Sequence, residues 1–158
     1  MSEFQAALDI GRDIGNPRLE CVCLGNLGIV FEAQGDFSVA CAHYELAVRG
    51  AREIGDPRTE GQFCGYLGLA HAKLGRHAEA RLALTEGEQL LRRVSDRLSL
   101  GLLLCQRAES EALMACPDGS KKAFEEAARL ATELKVENLS ELALRLVVLK
   151  GSLTALPV

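Results

Sequence analysis

The pentapeptide Ile14-Gly15-Asn16-Pro17-Arg18 returns forty residues later as Ile54-Gly55-Asp56-Pro57-Arg58. The same offset joins Leu27-Gly28 to Leu67-Gly68, Gly35 to Gly75 and Ala40 to Ala80. A series held in one phase over this length is an internal repeat, and a unit of this size is a supersecondary element that buries its apolar face only against its neighbours. A chain of 158 residues accommodates a few such units on one shared core.

Each unit reads as two helices. Asn16 and Asp56 suit the N-cap, because their side-chain oxygens accept a free amide of the first turn, and Pro17 and Pro57 take the position where a missing N–H costs least. Leu24, Leu27, Gly28 and Phe31 follow at helical spacing over residues 17–34, as do Cys64, Leu67, Gly68 and His71 over 57–74. Gly35 and Gly75 end these helices in a left-handed conformation that other residues resist. Returning helices are expected over 37–54 and 77–94, with Ala40 and Ala80 allowing close approach and Tyr44 and Leu84 filling the space beyond. With aromatics at 4% and no Trp, the interior has to be built from Leu, Ala, Val, Ile and Gly, which favours closely packed helices.

Steps of 40 from Phe4 reach Tyr44, Leu84 and Phe124, from Ala7 reach Ala47, Gly87 and Ala127, and from Ile14 reach Ile54, Val94 and Leu134. The chain therefore divides into a half repeat over 1–15, repeats over 16–55 and 56–95, a divergent repeat over 96–136 and a terminal helix over 137–158, about eight helices in one array. The third unit opens at Asp96 and is expected to turn at Cys116-Pro117-Asp118-Gly119. Asn138, with Glu141 three residues on, forms a capping box for the last helix, whose phase slips by about two residues. That helix carries Leu142, Leu144, Leu146, Val147, Val148 and Leu149, apolar almost all round, so it calls for burial on more than one side and suggests self-association.

Leu27-Gly28, Phe31, Gly35, Ala40, Tyr44 and Ala47, with Leu67-Gly68, Gly75, Ala80 and Leu84 in the next copy, resemble the tetratricopeptide repeat (TPR). The usual 34-residue unit is lengthened to 40, as in polarity adaptors of the Pins type, kinesin light chains and bacterial regulatory proteins. His71 and Gly87 stand where that family prefers an aromatic and alanine, and Glu111 and Ser120 where it prefers a large residue and alanine. The resemblance implies an all-α fold, a right-handed superhelical array of antiparallel helix pairs (a TPR-like α-solenoid), and binding of a peptide or protein partner without catalysis.

By that family's geometry the first helices line a concave groove. Val22, Gly25, Asn26, Ile29 and Glu32 come from the first complete unit, Gln62, Gly65, Tyr66, Leu69 and Lys73 from the second, and Leu102, Cys105, Gln106, Glu109 and Leu113 from the third. Asn26, Tyr66 and Gln106 form one row at 40-residue steps, suited to hydrogen-bonding a ligand's main chain while Val22, Ile29, Leu69 and Leu102 meet its apolar side chains; simple solvation explains polar residues there equally well. Gly25 and Gly65 are either a shallow groove floor or points of tight packing between adjacent units. The clamp with which some family members grip a chain's terminal carboxylate is not matched, since Gly25 and Ile29 replace its charged and amide groups. An internal, partly apolar peptide segment is the expected partner.

Other chemistries find little support. With 22 acidic and 18 basic residues, net charge −4, the chain has no long-range attraction for nucleic acid or anionic lipid, and no apolar run approaches the roughly 18 residues of a spanning helix. A cytoplasmic setting follows. The six cysteines lack Cys-x-x-Cys pairs and fall among apolar helical positions. His43, His71 and His77 lack metal-ligand spacing, and no phosphate loop, nucleophile elbow or zinc-protease helix occurs, so no enzyme, cofactor or metal is expected. The function expected is a protein-interaction scaffold within a larger regulatory or signalling protein. The alternative is a sensory domain that binds a small ligand or signalling peptide and controls an attached effector, and a third reading is a structural spacer.

Gly28 and Gly68 lie mid-helix, where glycine costs about 1 kcal/mol against alanine, and contact between the two helices of a unit is the compensation. Replacing either by leucine is expected to lower stability by about 1–3 kcal/mol through overpacking, read as a drop in melting temperature. An unchanged melt in both variants would contradict the helix pairing.

Overall fold

The computed structural model describes residues 2–137 and 140–154. Among them are eight helices: α1 (Ser2–Asp13), α2 (Pro17–Ala33), α3 (Phe37–Glu53), α4 (Pro57–Lys73), α5 (His77–Arg93), α6 (Arg97–Leu113), α7 (Pro117–Glu133) and α8 (Glu141–Thr154). From α2 to α7 every helix has 17 residues, and successive helices begin 20 residues apart. The 40-residue unit seen in the sequence is thus two copies of one 20-residue helix-and-turn.

The turn explains the pitch. Positive φ falls on Gly15, Gly35, Gly55 and Gly75, and then on Ser95 (56°), Ala115 (54°) and Lys135 (51°). At each turn the amide of the following residue donates to the carbonyl five residues back, Asp36 to Phe31, Asp56 to Ala51 and Asp96 to Leu91, while the left-handed residue donates three back, Gly35 to Glu32. This is the Schellman arrangement. Its last residue is at once the N-cap of the next helix: Asn16, Asp36, Asp56 and Asp96 accept from the amides of Leu19, Val39, Thr59 and Ser99. Three residues therefore close one helix and open the next.

Two expectations change here. The turn of the third unit is Met114-Ala115-Cys116, not Cys116 to Gly119: Pro117 takes the first helical position, and Gly119 lies inside α7. The 20-residue pitch overrides the local glycine. The slip at α8 is larger than two residues, since one further step of 40 from Arg97 gives position 137 and α8 begins four residues later. Ser140 caps it, its hydroxyl accepting from the Ala143 amide at 3.2 Å. Asn138 and the side chains of Phe4 and Ala7 lie outside the described residues.

Each helix packs on its sequence neighbours, and α2, α4, α6 and α8 also pack on one another in that order. Among the described residues the odd-numbered helices make no such contact with each other. The even helices thus form a contiguous inner row with the odd helices behind it. Small residues set the approach within a pair: a Cβ on Gly28 would lie 2.5 Å from the Tyr44 ring of α3, and one on Gly68 2.5 Å from Leu84 Cγ of α5. In the third pair Ser120 replaces alanine without loss of burial, because its hydroxyl donates to the Ala108 carbonyl at 2.7 Å. Tyr44, Leu84, Ala47 and Ala127 are fully buried.

Ion pairs repeat in the same phase. Arg12 meets Glu20 and Arg52 meets Glu60; Arg18 meets Asp56 and Arg58 meets Asp96; Arg52 reaches Glu86 and Arg92 reaches Glu126, joining odd helices whose backbones do not touch. Such part-exposed pairs contribute at most about 1 kcal/mol each, so they follow the arrangement that the turns and small residues establish.

Left-handed backbone costs a residue with a Cβ about 1–2 kcal/mol. Ala115→Gly and Lys135→Gly are each expected to stabilise the fold by about 1 kcal/mol, the gain reduced by the greater chain entropy of glycine. Arg76, which provides no side-chain cap, should add about 1 kcal/mol as Arg76→Asp. Urea denaturation midpoints test all three, and no gain in any would contradict this account of the turns.

Candidate functional site

Side chains of the inner row converge on a cavity of about 240 Å³ walled by α2 (Val22, Asn26, Ile29), α4 (Gln62, Phe63, Tyr66), α6 (Ser99, Leu102, Leu103, Gln106) and Glu141 of α8. Val22, Gln62 and Leu102 are one 40-step row, and Asn26, Tyr66 and Gln106 another. The turns hold equal helix lengths at equal pitch, so equivalent residues face the same space. Seven of the residues expected in a groove are therefore together.

Within this cavity several polar groups already have partners. Gln62 donates to the Ser99 hydroxyl at 2.7 Å, which donates in turn to Asp96 at 2.7 Å. The Tyr66 hydroxyl donates to Glu141 at 3.4 Å, and its ring stands between the Tyr44 ring at 5.6 Å and the Arg145 guanidinium at 5.5 Å. Burial raises the Tyr66 phenol above its ordinary range, with Arg145 opposing. Gln106 is 2% exposed, and its Nε2 is buried with no hydrogen-bond partner.

Lys73 lies along α4 from Tyr66 and bridges the row, its ammonium 3.0 Å from Glu32 of α2 and 3.4 Å from Glu109 of α6, over the Phe37 ring at 5.2 Å. Glu32 also accepts from the Tyr44 hydroxyl at 2.7 Å. Lys73 and Glu32 therefore tie three even helices and α3 together.

Three expected groove residues are placed differently. Leu69 is 1% exposed and offers a ligand no surface. Gly25 lies under the Phe63 ring, and Gly65 under Leu103 and the Gln106 carboxamide. Of the two readings for these glycines, packing between adjacent units is the one realised. The floor is made by Phe63 and Gln106 instead. Phe63 and Leu103 were findable as a 40-step pair one turn from Tyr66 and Gln106; Glu141 was not, because α8 is out of phase.

Cys105, Glu109 and Leu113 belong to a second cleft of about 480 Å³, shared with Ala112 and with Leu144, Arg145, Val148, Leu149 and Ser152 of α8. It exists because α8 buries only part of its apolar surface: Leu142 seats on Gly101, and Leu149 is buried, while Leu144, Val147 and Val148 remain 50–71% exposed.

The thiols and the imidazole buried among these helices are subdued. Cys41 Sγ and His71 Nδ1 are 3.8 Å apart in the interior. Burial pushes the Cys41 thiol up to about 11 and the Cys64 and Cys105 thiols up to about 12, so none forms a ready thiolate. Among the described residues no group of three His, Cys, Asp or Glu side chains converges as a metal set, and no helix is long and apolar enough to cross a membrane. The chain matches no protein-family model and no curated protein.

Burial also lowers the His43 and His71 pKa values below 6.5. In the window between the folded values and 6.5 the unfolded chain binds more protons, so stability is full above 6.5 and falls as pH drops through that window. Replacing both by the residues of sister units, His43→Ala and His71→Phe, is expected to shrink the difference in urea midpoint between pH 7.5 and pH 5.5. An equal difference in the variant would remove the histidines as its source.

Proposed function

We propose that the chain is a non-catalytic protein-interaction scaffold of the tetratricopeptide-repeat kind. In this reading its helix pairs stack as a right-handed superhelical array, and the inner row is the concave face that takes a segment of a partner protein. The observation that carries the reading is the convergence of Asn26, Tyr66 and Gln106, with Val22, Gln62 and Leu102, on one cavity at constant 40-residue steps. Rows of this kind meet a repeating main chain with repeating polar groups and place apolar side chains between them. Placement within a larger regulatory protein, and a cytoplasmic setting, belong to the same proposal; the free buried cysteines suit a reducing compartment.

A second reading, a sensory domain for a small ligand, draws on the cleft between α6 and α8. About 480 Å³ of largely apolar wall with Arg145, Glu109 and Ser152 at its margin falls within the usual size of small-molecule sites. A thermal-shift screen of small apolar compounds, repeated on Val148→Trp to fill the cleft, separates this reading from the first.

The main proposal is tested by selecting peptides from a random displayed library on the folded chain, then titrating the enriched sequences against wild type and Leu102→Arg. Leu102 is part-exposed on the cavity wall, so the variant should fold while losing affinity by about thirtyfold or more. Failure to enrich any peptide, or equal binding by the variant, would count against the groove.

A further inference from the structure

We propose that the cleft between α6 and α8 binds a hydrophobic monoamine, an organic cation with an alkyl or aryl body, whose ammonium group is met by Glu109. This deepens the small-ligand reading and rests on it. The cleft is where the array departs from its own pattern. Forty residues before Cys105, Glu109 and Ala112 stand Gly65, Leu69 and Ala72 of α4. There α6 closes the space: Leu103 and Gln106 lie over Gly65, and Leu69 and Ala72 are 1% and 5% exposed. On α6 the same positions line about 480 Å³ of open space, where Leu113, Leu144 and Val148 are 50–69% exposed. α8 begins four residues late and seats Leu142 on Gly101, one turn before Cys105, which leaves the cleft beyond it.

One residue on this face changes class. Ile29 and Leu69 are followed, forty residues on, by Glu109, a carboxylate where the two earlier units place a branched apolar side chain. Glu109 has only a share in a cation: it is 3.4 Å from the Lys73 ammonium, which lies closer, at 3.0 Å, to Glu32. Arg145, the cation of the cleft wall, is matched separately, 3.1 Å from Glu141 and over the Tyr66 ring. The charged groups of the wall and their partners are therefore three carboxylates, Glu32, Glu109 and Glu141, against two cations, Lys73 and Arg145. One positive charge is missing, and it is missing at Glu109.

That deficit selects among ligands. A monocation with an apolar body supplies the charge and covers Leu113, Leu144 and Val148 together. An anion adds to the excess, and a neutral molecule covers the walls alone. The net charge of −4 acts in the same sense at long range. About 480 Å³ equals the liquid share of about sixteen waters, enough for an eight-carbon chain and its head group.

The test titrates n-octylammonium, octan-1-ol and octanoate, one chain with three head groups, into the full chain at pH 7 and follows the methyl signals of Leu113, Leu144 and Val148 by ¹H–¹³C NMR. Octylammonium should shift them saturably and bind about fivefold more tightly than octanol, the worth of one part-exposed ion pair. Octanoate should be the weakest. Glu109→Gln should bring octylammonium level with octanol, and Val148→Trp, a change at an exposed site, should abolish binding of both. Equal binding of octanol and octylammonium, tightest binding of octanoate, or a preference that survives Glu109→Gln would overturn the monoamine while leaving the small-ligand reading intact. Shifts that persist in Val148→Trp would place the probe elsewhere and overturn the inference as well. Silence from all three probes would overturn both, so the octanol arm tells the two failures apart.

Discussion

Everything in the arrangement depends on a three-residue turn in which one residue takes left-handed backbone. By sending the following amide five residues back, it satisfies carbonyls that the helix end leaves open, and it delivers the chain directly into the next N-cap. No residue is spare between the end of one helix and the start of the next. Helix length and spacing are thereby repeated rather than chosen anew, and the small residues Gly28, Gly68 and Ala108 recur at the same position of each first helix.

This explains what could be read from residues alone. The 40-residue offset was visible because Gly15, Asn16 and Pro17 recur with little change at Gly55, Asp56 and Pro57, each tied to a turn position that few residues tolerate. The finer 20-residue pitch was hidden in the second half, where Ser95, Ala115 and Lys135 adopt the glycine conformation without being glycine. There the geometry is imposed by the helices on either side, which bury Leu91, Leu103, Leu104 and Ala123, and local preference yields. The misplaced turn at Gly119 has the same origin.

The cavity was legible as rows and less so as depth. A constant step tells which residues share a direction, so the convergence of Asn26, Tyr66 and Gln106 could be anticipated. It does not tell what a neighbouring helix lays over them. Gly25 and Gly65 pointed the expected way but are roofed by Phe63 and Gln106, and Leu69 is covered where Ile29, its counterpart one unit earlier, remains partly open. The bridging of Glu32, Lys73 and Glu109 required three helices to be placed before it could be seen.

The turns also restrict how such a chain can change over evolutionary time. With no slack between helices, inserting or deleting a single residue in α2 to α7 would rotate everything downstream by about 100° per residue and scatter the rows. Length variation is therefore quantised: whole hairpins can be gained or lost, while odd-sized indels are tolerated only at a joint that already breaks phase. The junction ahead of α8 is such a joint, since α8 begins four residues later than the 40-residue step gives.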